Sequence, residues 1–321
     1  MLWEPAIYEH KAALIGKSPY DVSRSADLLV DAVRTEFRTY RADYLTVGLD
    51  VYNIEAEAMG AEIVVPGENE CPDIARPLFD LAQVEDYLDY PDIPGSGRFD
   101  MLLEAGQRVT SEIGDAAKVR IAASGPVTIA AKLVGLDSLV MSLALGDGNA
   151  RELLEFTNCI AADWCEAIRD AGLDAVIFDS MAAPPMFGPD MYRDELLKFH
   201  WSLMWTLQEA GQKECELVIG GDTTVIAAAL DDTHASMIVC DYAADAQAFA
   251  KALPFASLLR VRRNINPAIL LQTDNLDSLA NEFAAELSLF DKPVAGTGIL
   301  PYDFPSARLL EFRRAVDGRI A

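Results

Sequence analysis

Short apolar, β-prone runs recur along this chain, and most stop on a small polar residue before a helical stretch. They are LTVGLD at 45–50, AEIVV at 61–65, VRIAAS at 119–124, DAVIFDS at 174–180, ELVIG at 216–220, SMIVC at 236–240, SLLRV from Ser257 to Val261, and KPVAG at 292–296. Strands separated by helix-length connections run parallel, because a tight hairpin cannot join parallel neighbours. Seven or eight such units predict an α/β fold, a (β/α)8 TIM barrel over residues 45–321 as a single domain. Residues 1–44 read as an N-terminal helical extension: Glu9 to Ile15, a Ser-Pro break, then Ser23 to Tyr40. An open doubly wound sheet is the alternative. No Gly-x-Gly-x-x-Gly follows the first run, which argues against its dinucleotide-binding form.

Composition narrows the partners. The 321 residues are 51% hydrophobic, enough for one large core, and carry 26 Lys+Arg against 51 Asp+Glu, a net charge of −25. Such a surface repels phosphate backbones and anionic lipid, so neither nucleic acid nor membrane is expected as a partner. The five cysteines, Cys71, Cys159, Cys165, Cys215 and Cys240, are scattered and form no Cys-x-x-Cys. They suggest neither a disulfide framework nor a zinc ribbon. No apolar run approaches the roughly 20 residues of a membrane span. The N-terminus shows no signal-peptide core, and a cytoplasmic location is the expectation.

In a barrel the chemistry sits at the C-terminal ends of the strands. Asp179, Asp222 and Asp241 all follow strands there, and Asp179 ends the most apolar one. Each is a candidate acid, and each also suits a helix cap. Tyr302 is a candidate proton donor and Tyr52 a candidate substrate contact, although packing roles suit both. Met181, Met186 and Phe187 would form an apolar wall in the Pro-rich loop after Asp179. Glu55 and Glu57 sit two apart after the first run. Of the three histidines, His200 reads as a packed or surface helix residue, His234 as a solvated loop residue, and His10 carries no motif.

Several of these strand ends, in order, resemble the uroporphyrinogen decarboxylase superfamily. The resembling pieces are EAEAMG at 55–60, GPVTIAAKLVG at 125–135, IFDS at 177–180, GGDTT at 220–224, NINPAILL at 264–271 and GTGILPYDFP at 296–305. The resemblance implies a (β/α)8 barrel and one of two chemistries: porphyrinogen decarboxylation without a cofactor, or methyl transfer involving a corrinoid on a partner protein. The Arg-rich N-terminal segment of the decarboxylases has no match in residues 1–50. The His-x-Cys and distant Cys that hold zinc in the coenzyme M-type transferases fall on Val218, Gly220 and Thr297. The resemblance is thus closest to the O-demethylase-type branch. It implies a subunit moving a methyl group from a small methylated donor, a methoxyarene or similar, to a corrinoid protein. Some of that branch hold zinc through two glutamates spaced as Glu55 and Glu70 are, plus a histidine, here replaced by Pro91. Zinc at Glu55 and Glu70 would need a third ligand from Cys240, Cys71 or Asp73. A homodimer is a further implication. The alternatives are a uroporphyrinogen-type decarboxylase and a catalytically inactive binding or scaffold barrel.

Overall fold

A computed structural model describes residues 1–87, 89–254 and 258–319. Eight strands form one parallel sheet: β1 (Leu2–Glu4), β2 (Tyr44–Val47), β5 (Lys118–Ser124), β6 (Asp174–Phe178), β7 (Glu216–Val218), β8 (Met237–Cys240), β9 (Arg260–Ile265) and β10 (Pro293–Thr297). Their order is β1-β10-β9-β8-β7-β6-β5-β2. The seam between β1 and β2 is bridged by Asp43, which donates its N–H to the Trp3 carbonyl (2.9 Å) and accepts the Trp3 N–H on its carboxylate (2.7 Å). The sheet is therefore a nearly closed barrel wrapped in helices, the expected (β/α)8 architecture.

Two elements differ from the sequence reading. The helices Glu9–Leu14, Pro19–Ser23 and Ala26–Tyr40 form as expected, but Leu2–Glu4 ahead of them is a barrel strand, paired in register Leu2↔Val294. The run at 61–65 contributes no barrel strand. Its Ile63–Val64 (β3) pairs antiparallel with Asp73–Ile74 (β4) in a surface ribbon, with Val64 and Val65 exposed. Ser257, the start of one expected strand, lies outside the described residues.

The strands are buried on both faces, as a parallel sheet under helices requires. Trp164, on the long helix Gly148–Asp170, donates its indole N–H to the Ala122 carbonyl of β5 at 3.1 Å and packs on Phe99, with ring centroids 4.5 Å apart. Among the described residues no single helix is long and apolar enough to cross a membrane. The apolar pair Pro126–Val134 and Leu136–Ala144 is bent by 109°.

One layer inside the barrel is charged. Alternate strands β1, β5, β7 and β9 contribute Glu4, Arg120, Glu216 and Arg262, all nearly inaccessible. Arg120 bridges Glu4 (2.5 Å) and Glu216 (2.6 Å); Arg262 also reaches both, lying 3.3 Å from Glu216. Four side chains from alternate strands are the usual barrel layer. Here the layer is two ion pairs rather than aliphatic groups.

Candidate active site

The C-terminal strand ends enclose a cavity of about 440 Å³. After β1 the chain supplies Ala6 and Tyr8; after β2, Tyr52; after β6, Ser180; after β7, Gly220 and Gly221; after β8, Asp241 and Tyr242; from β9 and β10, Asn264, Thr297 and Gly298. Arg262 forms part of the floor. The glycine at 298 lets the Tyr242 ring lie close: a Cβ there would fall 2.4 Å from that ring and the ring would have to shift.

A polar chain runs across this mouth. The Tyr52 hydroxyl and the Ser180 hydroxyl are 3.0 Å apart, and the Gly220 N–H donates to Ser180 Oγ at 3.3 Å. Asp241 accepts the Gly221 N–H at 3.0 Å and the Asn264 side-chain N–H at 3.0 Å. Burial raises the Tyr52 phenol, and more strongly that of Tyr8, above the usual tyrosine range. Both therefore stay protonated and able to donate at neutral pH. Both rings meet Phe178 edge-on, Tyr8 at 6.0 Å and Tyr52 at 5.9 Å. The arrangement can hold a small molecule against two phenols, a hydroxyl and one carboxylate. Apolar walls come from Val218, Val239 and Ile299.

The other expected residues are placed differently. Asp179 is fully buried and turned into the wall. It accepts the Val127 and Thr128 N–H groups (3.3 and 2.6 Å) and bonds His200 Nε2 (2.8 Å), whose other ring nitrogen bonds the Tyr192 hydroxyl (2.8 Å). The helix Pro126–Val134 has Gly125 at its N-cap and no cap from that residue, so Asp179 supplies the cap from the next strand. Gly125 is what permits this: a Cβ there would lie 2.4 Å from the Asp179 side chain. Asp179→Ala should orphan two amides and a buried histidine and cost roughly 3 kcal/mol of stability in urea unfolding. A loss under about 1 kcal/mol would show that water replaces the carboxylate.

Asp222 is exposed and caps its own turn through Thr224, at 3.0 Å to the N–H and 2.6 Å to the hydroxyl. The Tyr302 hydroxyl donates to the Lys17 carbonyl, outside the cavity (3.0 Å). Met181 and Met186 do not line the cavity, and Phe187 is core. His200 is packed, with no surface, and His234 is exposed at a positive φ of 62°.

The metal set does not assemble. Glu55 is buried and accepts the Ser124 N–H (2.7 Å). Glu70 is exposed on an adjoining chamber with Cys71 and Asp73. Cys240 lies behind the wall against Arg263, and burial pushes its thiol up to about 11. Among the described residues no three His, Cys, Asp or Glu side chains converge to hold a metal. Val218, Gly220 and Thr297 do line one cavity, but offer neither imidazole nor thiolate. The donor set does not fit a resident zinc.

Sequence reasoning passed over Tyr8, Tyr242, Arg262 and Asn264 as site residues, and took Ser180 only as part of the polar end of DAVIFDS without giving it a role. Asn264 and Tyr242 follow recognised runs and were open to the same strand-end argument. Tyr8 follows a strand too short to register as one.

The solved structure of a methyltransferase from Methanosarcina mazei superposes with a TM-score of 0.86 over 100% of this chain and 94% of that one, at 18% identity. At that identity the likeness speaks to the fold. No curated protein sequence matches the chain. The uroporphyrinogen decarboxylase (URO-D) family model matches residues 6–287, most of the chain, which therefore belongs to the URO-D family.

Proposed function

We propose that this chain is the substrate-demethylating subunit of a corrinoid-dependent methyltransferase system. It takes a methyl group from a small methoxylated, amine or thioether donor and passes it to a corrinoid carried on a separate protein. The observation that carries this reading is the charge at the mouth. The cavity's arginine, Arg262, is already matched by Glu4 and Glu216, so among the described lining residues no lysine or arginine is free to meet the many carboxylates of a porphyrinogen. The Methanosarcina methyltransferase of the same fold points the same way.

A corrinoid docked at the open mouth by its carrier protein would supply a low-valent cobalt as the methyl acceptor. Within this chain, Val218, Val239 and Ile299 exclude water from the donor. Tyr52, hydrogen-bonded with Ser180, faces a leaving heteroatom as a proton or hydrogen-bond donor. Asp241 orients the donor through its free lone pairs while holding the ends of β7 and β9 together. Positioned acid–base groups contribute about 10²–10⁴-fold. Tyr52→Phe should therefore lower kcat for methyl transfer to cob(I)alamin at least tenfold, with the fold intact by circular dichroism. An unchanged kcat would remove Tyr52 from the chemistry.

A further inference from the structure

The floor of the mouth cavity holds two buried polar atoms without partners. Asn264 lines the cavity and is 6% exposed. Its side-chain N–H donates to Asp241 at 3.0 Å, and its amide oxygen meets no donor among the described residues. Asp241 fixes that orientation. A carboxylate only accepts, so the amide nitrogen faces it and the amide oxygen is turned away. Arg262 stands two residues earlier on β9 and therefore on the same face of the strand. It is 4% exposed, and its Nε–H is likewise unpartnered among the described residues.

The neighbouring strand leaves room beside both. Gly296 pairs with Asn264 in the β9–β10 register, and a Cβ there would lie 2.4 Å from Asn264 Oδ1 and 3.0 Å from Arg262 Cγ. Buried amide oxygens and guanidinium N–H groups are ordinarily satisfied. An orphaned acceptor and an orphaned donor on one cavity floor call for a group that fills both roles. A hydroxyl does so, with one O–H to give and lone pairs to accept. An ion fits less well. Arg262 and Arg120 are matched by Glu4 and Glu216, and Asp241 lies within reach of the Arg262 charge. The floor therefore offers an ion of either sign little net attraction.

We propose that the methyl donor is a neutral molecule carrying a hydroxyl remote from its methyl group, and that Asn264 Oδ1 and Arg262 Nε hold this hydroxyl at the cavity floor. This rests on the methyl-transfer reading above and narrows its substrate class. The reacting methyl has to face the open mouth, where an acceptor can reach it, so the opposite end of the donor goes to the floor. Asn264 is then the specificity determinant. A donor with a methyl in place of the hydroxyl leaves a buried acceptor and a buried donor unpaired, the mismatch that discriminates most strongly. A water molecule would also satisfy both atoms. A hydroxyl can displace it and reproduce its bonds, whereas a methyl cannot.

The test is calorimetric titration with 3-methoxyphenol and 3-methoxytoluene, which set a hydroxyl against a methyl of similar size. The phenol should bind at least about tenfold more tightly. Asn264→Leu should weaken phenol binding by a similar factor and leave binding of the toluene unchanged or tighter. Should Asn264→Leu fail to fold, Asn264→Ala removes the same acceptor with no added bulk and should likewise close the gap. Equal affinities in the parent, binding of neither compound, equal weakening of both in a folded variant, or a preference that survives loss of the amide would overturn the proposal. The two orphaned atoms would then hold a structural water only. Methylation of cob(I)alamin separates the proposal from the broader reading. Transfer from 3-methoxytoluene as efficient as from 3-methoxyphenol overturns the hydroxyl site and leaves methyl transfer standing. A hydroxyl preference in binding with no transfer from any donor keeps the site and overturns methyl transfer.

Discussion

Arg120→Met should destabilise the protein by about 3–5 kcal/mol, because it leaves buried carboxylate without its partner. Arg120 is about 1% exposed and holds Glu4 and Glu216 at once. With it gone, both carboxylates depend on Arg262, and two like charges share one guanidinium. The layer is already strained toward neutralisation. Burial raises Glu216 to about 6 even with both arginines present, while for Glu4 the two arginines outweigh burial and hold its carboxyl below the usual range. A raised folded pKa means the native state binds the Glu216 proton more tightly than the unfolded chain. The Glu216 contribution therefore falls as pH rises from the unfolded value, near 4.5, through 6. In Arg120→Met that decline should become larger and run to higher pH, since one of the two charges favouring the ionised form is gone. Urea unfolding midpoints at pH 5 and pH 8 measure both effects. A variant within about 1 kcal/mol of the parent at both pH values would show that the layer relaxes around water instead.

Gly220→Phe should abolish methyl transfer, by more than about 10²-fold in kcat/KM, at little cost in stability. Gly220 lies at the rim, and a Cβ there meets only Ser180 Oγ at 3.6 Å and Asp241 Oδ2 at 4.0 Å, both ordinary contacts. Its backbone is not in the left-handed region, so a side chain brings no strain. A phenyl ring would extend into the cavity and take the volume a small donor needs. The expected readout is a melting temperature within a few degrees of the parent with activity lost. Retained activity would place the donor elsewhere.

Much of this fold was legible because parallel strands buried on both faces read as continuous apolar runs. VRIAAS and DAVIFDS became β5 and β6 almost residue for residue. β1 was not legible. Three residues, Leu2–Glu4, carry no periodicity, and they become a strand only because Val294 to Gly296 lie beside them. The run at 61–65 misled because a β-prone pair in a surface ribbon has the same composition as a barrel strand. At the site, Asp241 was legible as a strand-end acid and does line the cavity. Asp179 has the same sequence context, yet its carboxylate caps a helix that begins about 50 residues earlier. Side-chain direction at a strand end depends on what the neighbouring loop offers, and that is non-local. Arg262, just past the SLLRV run, could not be seen as a cavity floor until its partners on β1 and β7 were known.

The account's central claim is that a methyl group leaves a small donor at this mouth. The most direct measurement follows an isotopically labelled methyl group from a panel of methoxyarene, methylamine and thioether donors to cob(I)alamin, with uroporphyrinogen decarboxylation run in parallel. The account predicts label on cobalt with the parent protein, none with Gly220→Phe, and no carbon dioxide from the porphyrinogen. Carbon dioxide release without label transfer would contradict it.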